Sequence, residues 1–204
     1  MTRGLGSTHC MDPSLLLQAI VSPPRVWSRS EVLFSRPCPI PPEAGVYGWF
    51  FRQAPAAMDL QRCHKFQGLR LLYVGISPRP PTADRAPSRQ NLRKRIRSHF
   101  AGRADGSTLR LTLGCLLADQ LGIRLGLSPS GRLTFHEGEE VLSDWMAENA
   151  FVAWLATPSP WAIEEMAIRE LDLPLNLDQN RSHVFYPTLS AVRRAAKVQA
   201  RMRS

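Results

Sequence analysis

Two tyrosines that lie beside glycines in short apolar runs are the first candidates for chemistry in this sequence. The runs are Gly45-Val-Tyr-Gly-Trp-Phe-Phe51 and Leu71-Leu-Tyr-Val-Gly-Ile-Ser77, and their composition predicts two buried strands. If these strands pair, Tyr47 and Tyr73 place two hydrogen-bonding phenols on one sheet surface. A glycine weakens a strand, so Gly75 indicates that a substrate, or the helix that carries Arg95, approaches the backbone closely.

A second candidate is a basic helix that follows the Gly75 strand. Ser88 is expected to cap it and Phe100 to end it, and a buried stripe recurs at four-residue steps: Leu92, Ile96 and Phe100. Arg95 and His99 lie along one edge of this stripe, where their side chains can reach into a cleft.

The remaining cations of the same helix point elsewhere. Arg93 and Arg97 lie on the other edge of the stripe, as candidates for a substrate contact or a structural role, and Lys94 faces solvent. From Arg89 to Arg103 there are six basic residues and no acidic one, a pattern usually typical of a solvated face. The position of Arg95 and His99 beside apolar residues sets these two apart.

A carboxylate and a carboxamide complete the set. Ser159 and the proline after it predict a helix that runs to about Leu171, with Glu164 in the middle of its apolar side. Burial of such a carboxylate costs free energy unless the group pairs with a buried arginine or binds a cation, and both interpretations stay open. Asn176, among apolar residues, either pins its loop or bonds a neighbouring carboxylate or substrate.

The overall charge suits a polyanionic partner. The chain has 204 residues and a net charge of +9, and 23 of its 26 basic residues are arginine. Arginine grips phosphate with a planar fork, which favours nucleic acid, although a GC-rich genome alone would also enrich arginine.

The composition argues against several other classes. The cysteines at positions 10, 38, 63 and 115 have neither CxxC nor zinc-ligand spacing, so neither a disulfide framework nor a zinc site is expected. No apolar run is long enough to span a membrane, and no secretion signal is present, so we expect a cytoplasmic protein.

The order of elements predicts an α+β fold, in which helices flank a small, three-stranded, mainly antiparallel sheet. Residues 1–42 form an N-terminal extension with a short helix after Asp12-Pro13, and 151–156 form the third strand. The stretch of about 105–150 resembles an insertion without chemistry, where Arg110 is a surface residue or a weak phosphate contact. Residues 183–204 form a basic helix or tail, either a secondary polyanion surface or a soluble end.

This constellation resembles the GIY-YIG nuclease superfamily over about residues 43–182. Gly45-Val46-Tyr47 matches its first motif and Tyr73-Val74-Gly75 its second, with valine in place of isoleucine in both. Arg95 and His99 match its catalytic helix, Glu164 its metal-binding glutamate, and Asn176 the asparagine that closes the site. The 26-residue step between the tyrosines and the stretch before Glu164 are longer than in the family, which bears on substrate specificity.

The resemblance implies an endonuclease that hydrolyses DNA phosphodiester bonds with Mg²⁺ or Mn²⁺. Glu164 would hold the cation, Arg95 would clamp the scissile phosphate, and Tyr47, assisted by Tyr73 or His99, would act as general base. The alternative is an inactive nucleic-acid-binding module on the same fold.

Overall fold

The structure is a computed structural model, which describes residues 12–55, 58–81 and 88–203. Cys10 and part of the polar loop at 78–88 lie outside these ranges. The described elements, in chain order, are α1 (Pro13–Val21), α2 (Arg29–Phe34), β1 (Gly45–Phe51), β2 (Lys65–Phe66), β3 (Leu69–Ser77), α3 (Leu92–Ala101), α4 (Thr108–Leu116), α5 (Ala118–Leu121), β4 (Gly126–Leu127), β5 (Leu133–Thr134), α6 (Gly138–Asn149), β6 (Ala150–Ala156), α7 (Trp161–Glu170) and α8 (Tyr186–Met202).

The main sheet has the order β2-β3-β1-β6, and all its neighbouring strands are antiparallel. The three predicted strands are present, and the two-residue β2 adds a fourth at one edge. Tyr47 is paired with Gly75 and Trp49 with Tyr73, so both phenols lie on the same face of the sheet. The mixed α/β fold with an antiparallel sheet is therefore confirmed.

Two apolar layers cover the sheet. On one face, Val46, Phe50 and Val74 pack against α1 and α7. On the other face, Tyr47, Trp49, Phe51 and Tyr73 pack against side chains of α3, α4 and α6. The chemistry predicted for the tyrosines therefore belongs to the face that α3 covers.

Helix ends differ from the sequence predictions in places where several capping residues compete. Asn91, and not Ser88, caps α3, since its side chain accepts a hydrogen bond from Lys94 N at 2.9 Å. Pro160, and not Ser159, is the N-cap residue of α7. Leu117 separates α4 from α5, and Val141 of α6 is exposed.

The N-terminal segment contains a second helix that the sequence analysis missed. Ser28 and Glu31 form a complete capping box at the start of α2, a signal that is readable in the sequence as Ser-x-x-Glu. Among the described residues, no helix is both long and apolar enough to cross a membrane.

Candidate active site

A cavity of about 160 Å³ opens beside β3, between α3, α7 and the loop that follows α7. It brings together five of the predicted site residues from β1, β3, α3, α7 and the loop after α7. Its lining is Tyr47, Tyr73, Ile76, Arg79, Pro80, Arg95, Thr108, Glu164, Ile168, Asn176, Leu177, Asp178 and Gln179.

The two phenols lie side by side in this cavity, with ring centroids 6.5 Å apart. Gly75 makes this arrangement possible: a Cβ there would lie 2.7 Å from the Tyr47 hydroxyl and 2.9 Å from Tyr73 Cε1. The close approach predicted at this glycine is thus made by the aromatic rings themselves, and neither by α3 nor by an open channel for substrate.

His99 lies behind Tyr47, fully buried, and joins it to α4. The Tyr47 hydroxyl is 3.0 Å from His99 Nε2, and His99 Nδ1 is 2.6 Å from Ser107 Oγ. Burial and the nearby charges of Arg95 and Arg110 hold the pKa of His99 well below its usual range. The imidazole is therefore neutral at neutral pH, so one of its nitrogens is a hydrogen-bond donor and the other an acceptor. It links the hydroxyls of Tyr47 and Ser107 in one hydrogen-bond chain.

Arg95 borders both the cavity and this chain. Its Nε donates to the Tyr47 hydroxyl at 3.4 Å and its Nη1 donates to the carbonyl of Gly106 at 3.0 Å. Within the described residues Nη2 has no partner, so a flat edge of the guanidinium stays available for an anion.

Both phenols in the cavity have raised pKa values. Burial is the largest influence on both and raises the pKa of Tyr47, and that of Tyr73 further. The charge of Arg95 lowers the pKa of Tyr47, but the effect of burial is larger. An additional positive charge in the cavity is required before either phenol ionises near neutral pH.

Glu164 faces the same cavity and forms no salt bridge within the described part of the chain, so the expected alternative of a buried arginine partner is not realised. Burial, followed by the charge of Asp178, raises its pKa to about 7, and Arg79 and Arg95 oppose this rise. An unpaired, half-buried carboxylate near a second carboxylate is a chemical environment that a cation stabilises.

The oxygen donors fit a hard divalent cation. In residues 12–55, 58–81 and 88–203, no three His, Cys, Asp or Glu side chains gather into a cluster that could hold a metal ion. Mg²⁺ retains several waters and needs only one or two carboxylates, so Glu164 and Asp178, which both line the cavity, would be sufficient to hold it.

Asn176 has the structural role that was one of its two expected ones. Its amide is buried and bonds both backbone groups of Val74, with Oδ1 accepting at 3.0 Å and Nδ2 donating at 2.8 Å. It therefore completes the outer edge of β3 and fixes the loop that carries Asp178. Asn180, which the sequence analysis missed, pins the same loop through the carbonyls of Leu173 and Asn176.

Comparison with known families identifies the architecture. The model of the GIY-YIG catalytic domain matches residues 45–195, which is most of the chain. The chain belongs to the GIY-YIG family. Neither the curated proteins nor the solved structures contain a match to it.

Arg93 and Arg97 lie outside the cavity of this GIY-YIG domain. Arg93 Nε donates to the carbonyl of Ile40 at 2.7 Å, and Arg97 Nη1 donates to the carbonyls of Val32 and Leu33 at 3.2 Å. Both therefore attach α3 to the segment that precedes the matched region, and neither is placed to contact a substrate in the cavity.

Arg110 supports the candidate site through buried contacts with neighbouring helices. The sequence analysis expected a surface residue or a phosphate contact, and both expectations are wrong because the side chain is fully buried. Its Nη2 lies 2.8 Å from Glu139 Oε2, and its Nη1 donates to the carbonyls of His99 and Phe100. The pair thus connects the backbone at the end of α3 to α6.

The stretch of about 105–150 also supplies parts of the site, contrary to the expectation that it carries no chemistry. Gly106 accepts from Arg95, Ser107 contacts His99 and Thr108 lines the cavity. Ser107 Oγ additionally accepts from Arg110 N at 3.1 Å and so caps α4. Arg79, shortly after the end of β3, is a further cation in the cavity.

Proposed function

We propose that this chain is a divalent-metal-dependent endonuclease that hydrolyses phosphodiester bonds in DNA. Membership of the GIY-YIG family supports nuclease activity in general. The observation that carries the finer proposal is one cavity that combines an unpaired carboxylate, an arginine with a free edge and a phenol hydrogen-bonded to a neutral imidazole.

Glu164 would hold the cation, Mg²⁺ or Mn²⁺, with Asp178 near enough to add to the negative potential. When bound, the cation supplies Lewis acidity toward a phosphoryl oxygen and a positive potential that opposes the raised pKa values of the phenols.

Arg95 binds the scissile phosphate in this proposal. Its Nε and Nη1 are already fixed by the Tyr47 hydroxyl and the Gly106 carbonyl, so the guanidinium plane is oriented before substrate arrives. A preoriented donor stabilises charge that develops on the phosphoryl oxygens at little reorganisation cost. Arg79, which is exposed at the cavity rim, supplies a second positive charge.

Tyr47 is the better candidate for the general base. Its hydroxyl contacts both Arg95 and His99, and these contacts orient its oxygen and stabilise a phenolate. Among the described residues the Tyr73 hydroxyl has no hydrogen-bond partner, and its pKa is raised further than that of Tyr47, which supports a positioning role.

The described cysteines are free thiols, in keeping with activity in the reducing cytoplasm.

A cleavage assay on supercoiled plasmid and on single-stranded DNA, with Mg²⁺ or Mn²⁺, tests the proposal. The wild-type chain is expected to nick or linearise DNA only with a divalent cation, and Glu164→Ala to yield no products. If the two proteins behave alike at every metal concentration, the proposal fails. DNA binding with a steep salt dependence and no products would support the inactive binding module instead.

A further inference from the structure

A second groove, with a volume of about 390 Å³, lies next to the catalytic cavity along helix α8. The loop at 177–179 borders both of them, so the groove and the cavity lie on either side of the same three residues. Besides this loop, the groove is lined by Arg181, Tyr186, Ser190, Arg193, Arg194 and Lys197.

The α8 groove is strongly basic and its cations lack acidic partners. Four basic residues line it, and Asp178, at the boundary with the catalytic cavity, is its only carboxylate. In the part of the chain that the structure describes, Arg181, Arg194 and Lys197 form no salt bridge. Crowded cations without counter-charges are stabilised when a polyanion binds them.

The spacing along α8 presents these groups on one face. Tyr186, Ser190, Arg194 and Lys197 recur at steps of three or four residues, so they lie along one side of the helix. From Tyr186 to Lys197 this side extends about 16 Å at about 1.5 Å per residue, the length of roughly five nucleotides at about 3.4 Å each. An aromatic ring and a row of cations are the elements of a single-strand binding groove.

The wall between the groove and the catalytic cavity is fixed. Asn176 and Asn180 anchor the loop through buried amides, and Gln179, between them, has a left-handed φ of 62°. On the helix side, Arg193 Nη1 donates to Thr112 Oγ1 at 3.1 Å, which attaches α8 to α4. These contacts hold the groove beside the cavity that contains Arg95 and Glu164.

We propose that the α8 groove binds the phosphates of the nucleic-acid strand on one side of the scissile phosphodiester. This inference rests on the proposed nuclease function and extends it, because it gives the substrate strand a direction of exit from the cavity. Arg194 and Lys197 contact consecutive phosphates, and Tyr186 stacks against an unpaired base.

The test compares Arg194→Gln/Lys197→Gln with a matched control, Arg62→Gln/Lys65→Gln. The control removes the same charge from two exposed residues outside both cavities. Binding of a fluorescent single-stranded oligonucleotide is measured by anisotropy in EDTA over a range of salt concentrations. The slope of log Kd against log salt is expected to fall by about 1.4 in the groove variant, at about 0.7 per phosphate contact, and to stay unchanged in the control.

Equal slopes for the groove variant and the control would overturn the proposal. The binding readout requires no cleavage, so a wild-type protein that binds through the groove but makes no products contradicts only the nuclease function. A second readout uses substrates trimmed on either side of the cut. The wild-type kcat/KM is expected to fall when one particular flank is removed, and the groove variant to lose this dependence; a dependence equal in both proteins would also overturn the proposal.

Discussion

Replacing Glu164 with Gln is expected to stabilise the metal-free protein at alkaline pH. The carboxyl of Glu164 has a pKa of about 7 in the folded chain, against 4.5 for an unperturbed glutamate. Because one pKa unit corresponds to about 1.4 kcal/mol, burying the ionised form costs up to about 3 kcal/mol. Glutamine has the same shape and carries no charge, so it avoids this cost.

The sign of the pH dependence follows from which state binds more protons. Between about pH 4.5 and about pH 7 the folded chain keeps the Glu164 proton while the unfolded chain releases it, so wild-type stability falls as pH rises through this interval. The advantage of Glu164→Gln is therefore absent below about pH 4.5 and complete above about pH 7. About 1 kcal/mol shifts the Tm of a chain of this size by roughly 2–4 °C. Above about pH 7, we therefore expect the Tm of Glu164→Gln to exceed that of the wild type by roughly 6–12 °C.

The assay is urea unfolding in EDTA over a pH series, with Glu165→Gln as the control. Glu165 is exposed on the same helix, so its substitution is expected to give no such pH-dependent difference. Adding Mg²⁺ above about pH 7 should stabilise the wild type by about 2.7 kcal/mol at a hundredfold excess over Kd, and Glu164→Gln not at all. A stability difference between Glu164→Gln and wild type that stays constant with pH would refute this reasoning.

Three further substitutions test the support of the site. Gly75→Ala places a Cβ 2.7 Å from the Tyr47 hydroxyl, and we expect a loss of about 1–3 kcal/mol in urea unfolding together with lost cleavage. Ser107→Ala removes the cap of α4 and the partner of the buried imidazole, so we expect about 1 kcal/mol less stability and an altered pH–rate profile. Arg110→Met leaves the Glu139 carboxylate unpaired, and the free energy of unfolding should fall by about 3–5 kcal/mol.

Each of these expectations has its own control. Ser107→Thr keeps a hydroxyl and should retain the wild-type profile, whereas a profile shifted equally in both variants would argue against the imidazole contact. Glu139→Gln in the Arg110→Met background should recover part of the loss, since it removes the unpaired charge. If Gly75→Ala keeps wild-type stability and activity, the tyrosine rings move to make room for the added Cβ, and the predicted steric conflict is wrong.

Hydrophobic periodicity and composition were sufficient to predict the strands and the helix that carry the tyrosines, Arg95 and His99. Two apolar runs with turn residues at their ends gave β1 and β3, and the four-residue steps of α3 placed Arg95 and His99 toward the sheet. These patterns are local, and burial of one face determines them, so the sequence alone indicates which side chains share a surface.

The supporting contacts were not predictable in the same way, because they join residues that are distant in sequence. Nothing near Arg110 indicates that Glu139 will neutralise it, and without a partner a buried arginine would be implausible. The same holds for Ser107, which looks like an ordinary capping residue until α3 packs beside it. The free energy needed to ionise Tyr47 depends on how deeply the whole fold buries its hydroxyl, and no local sequence pattern indicates this.

We propose that one cavity performs metal-dependent phosphodiester hydrolysis with Glu164 as its metal ligand. Single-turnover cleavage of end-labelled DNA across a Mg²⁺ titration, for wild type, Glu164→Gln and Glu165→Gln, tests it most directly. We expect saturable, metal-dependent product formation by wild type and Glu165→Gln, and DNA binding without products by Glu164→Gln. Cleavage by Glu164→Gln at the wild-type rate and with the same Mg²⁺ dependence would contradict the claim.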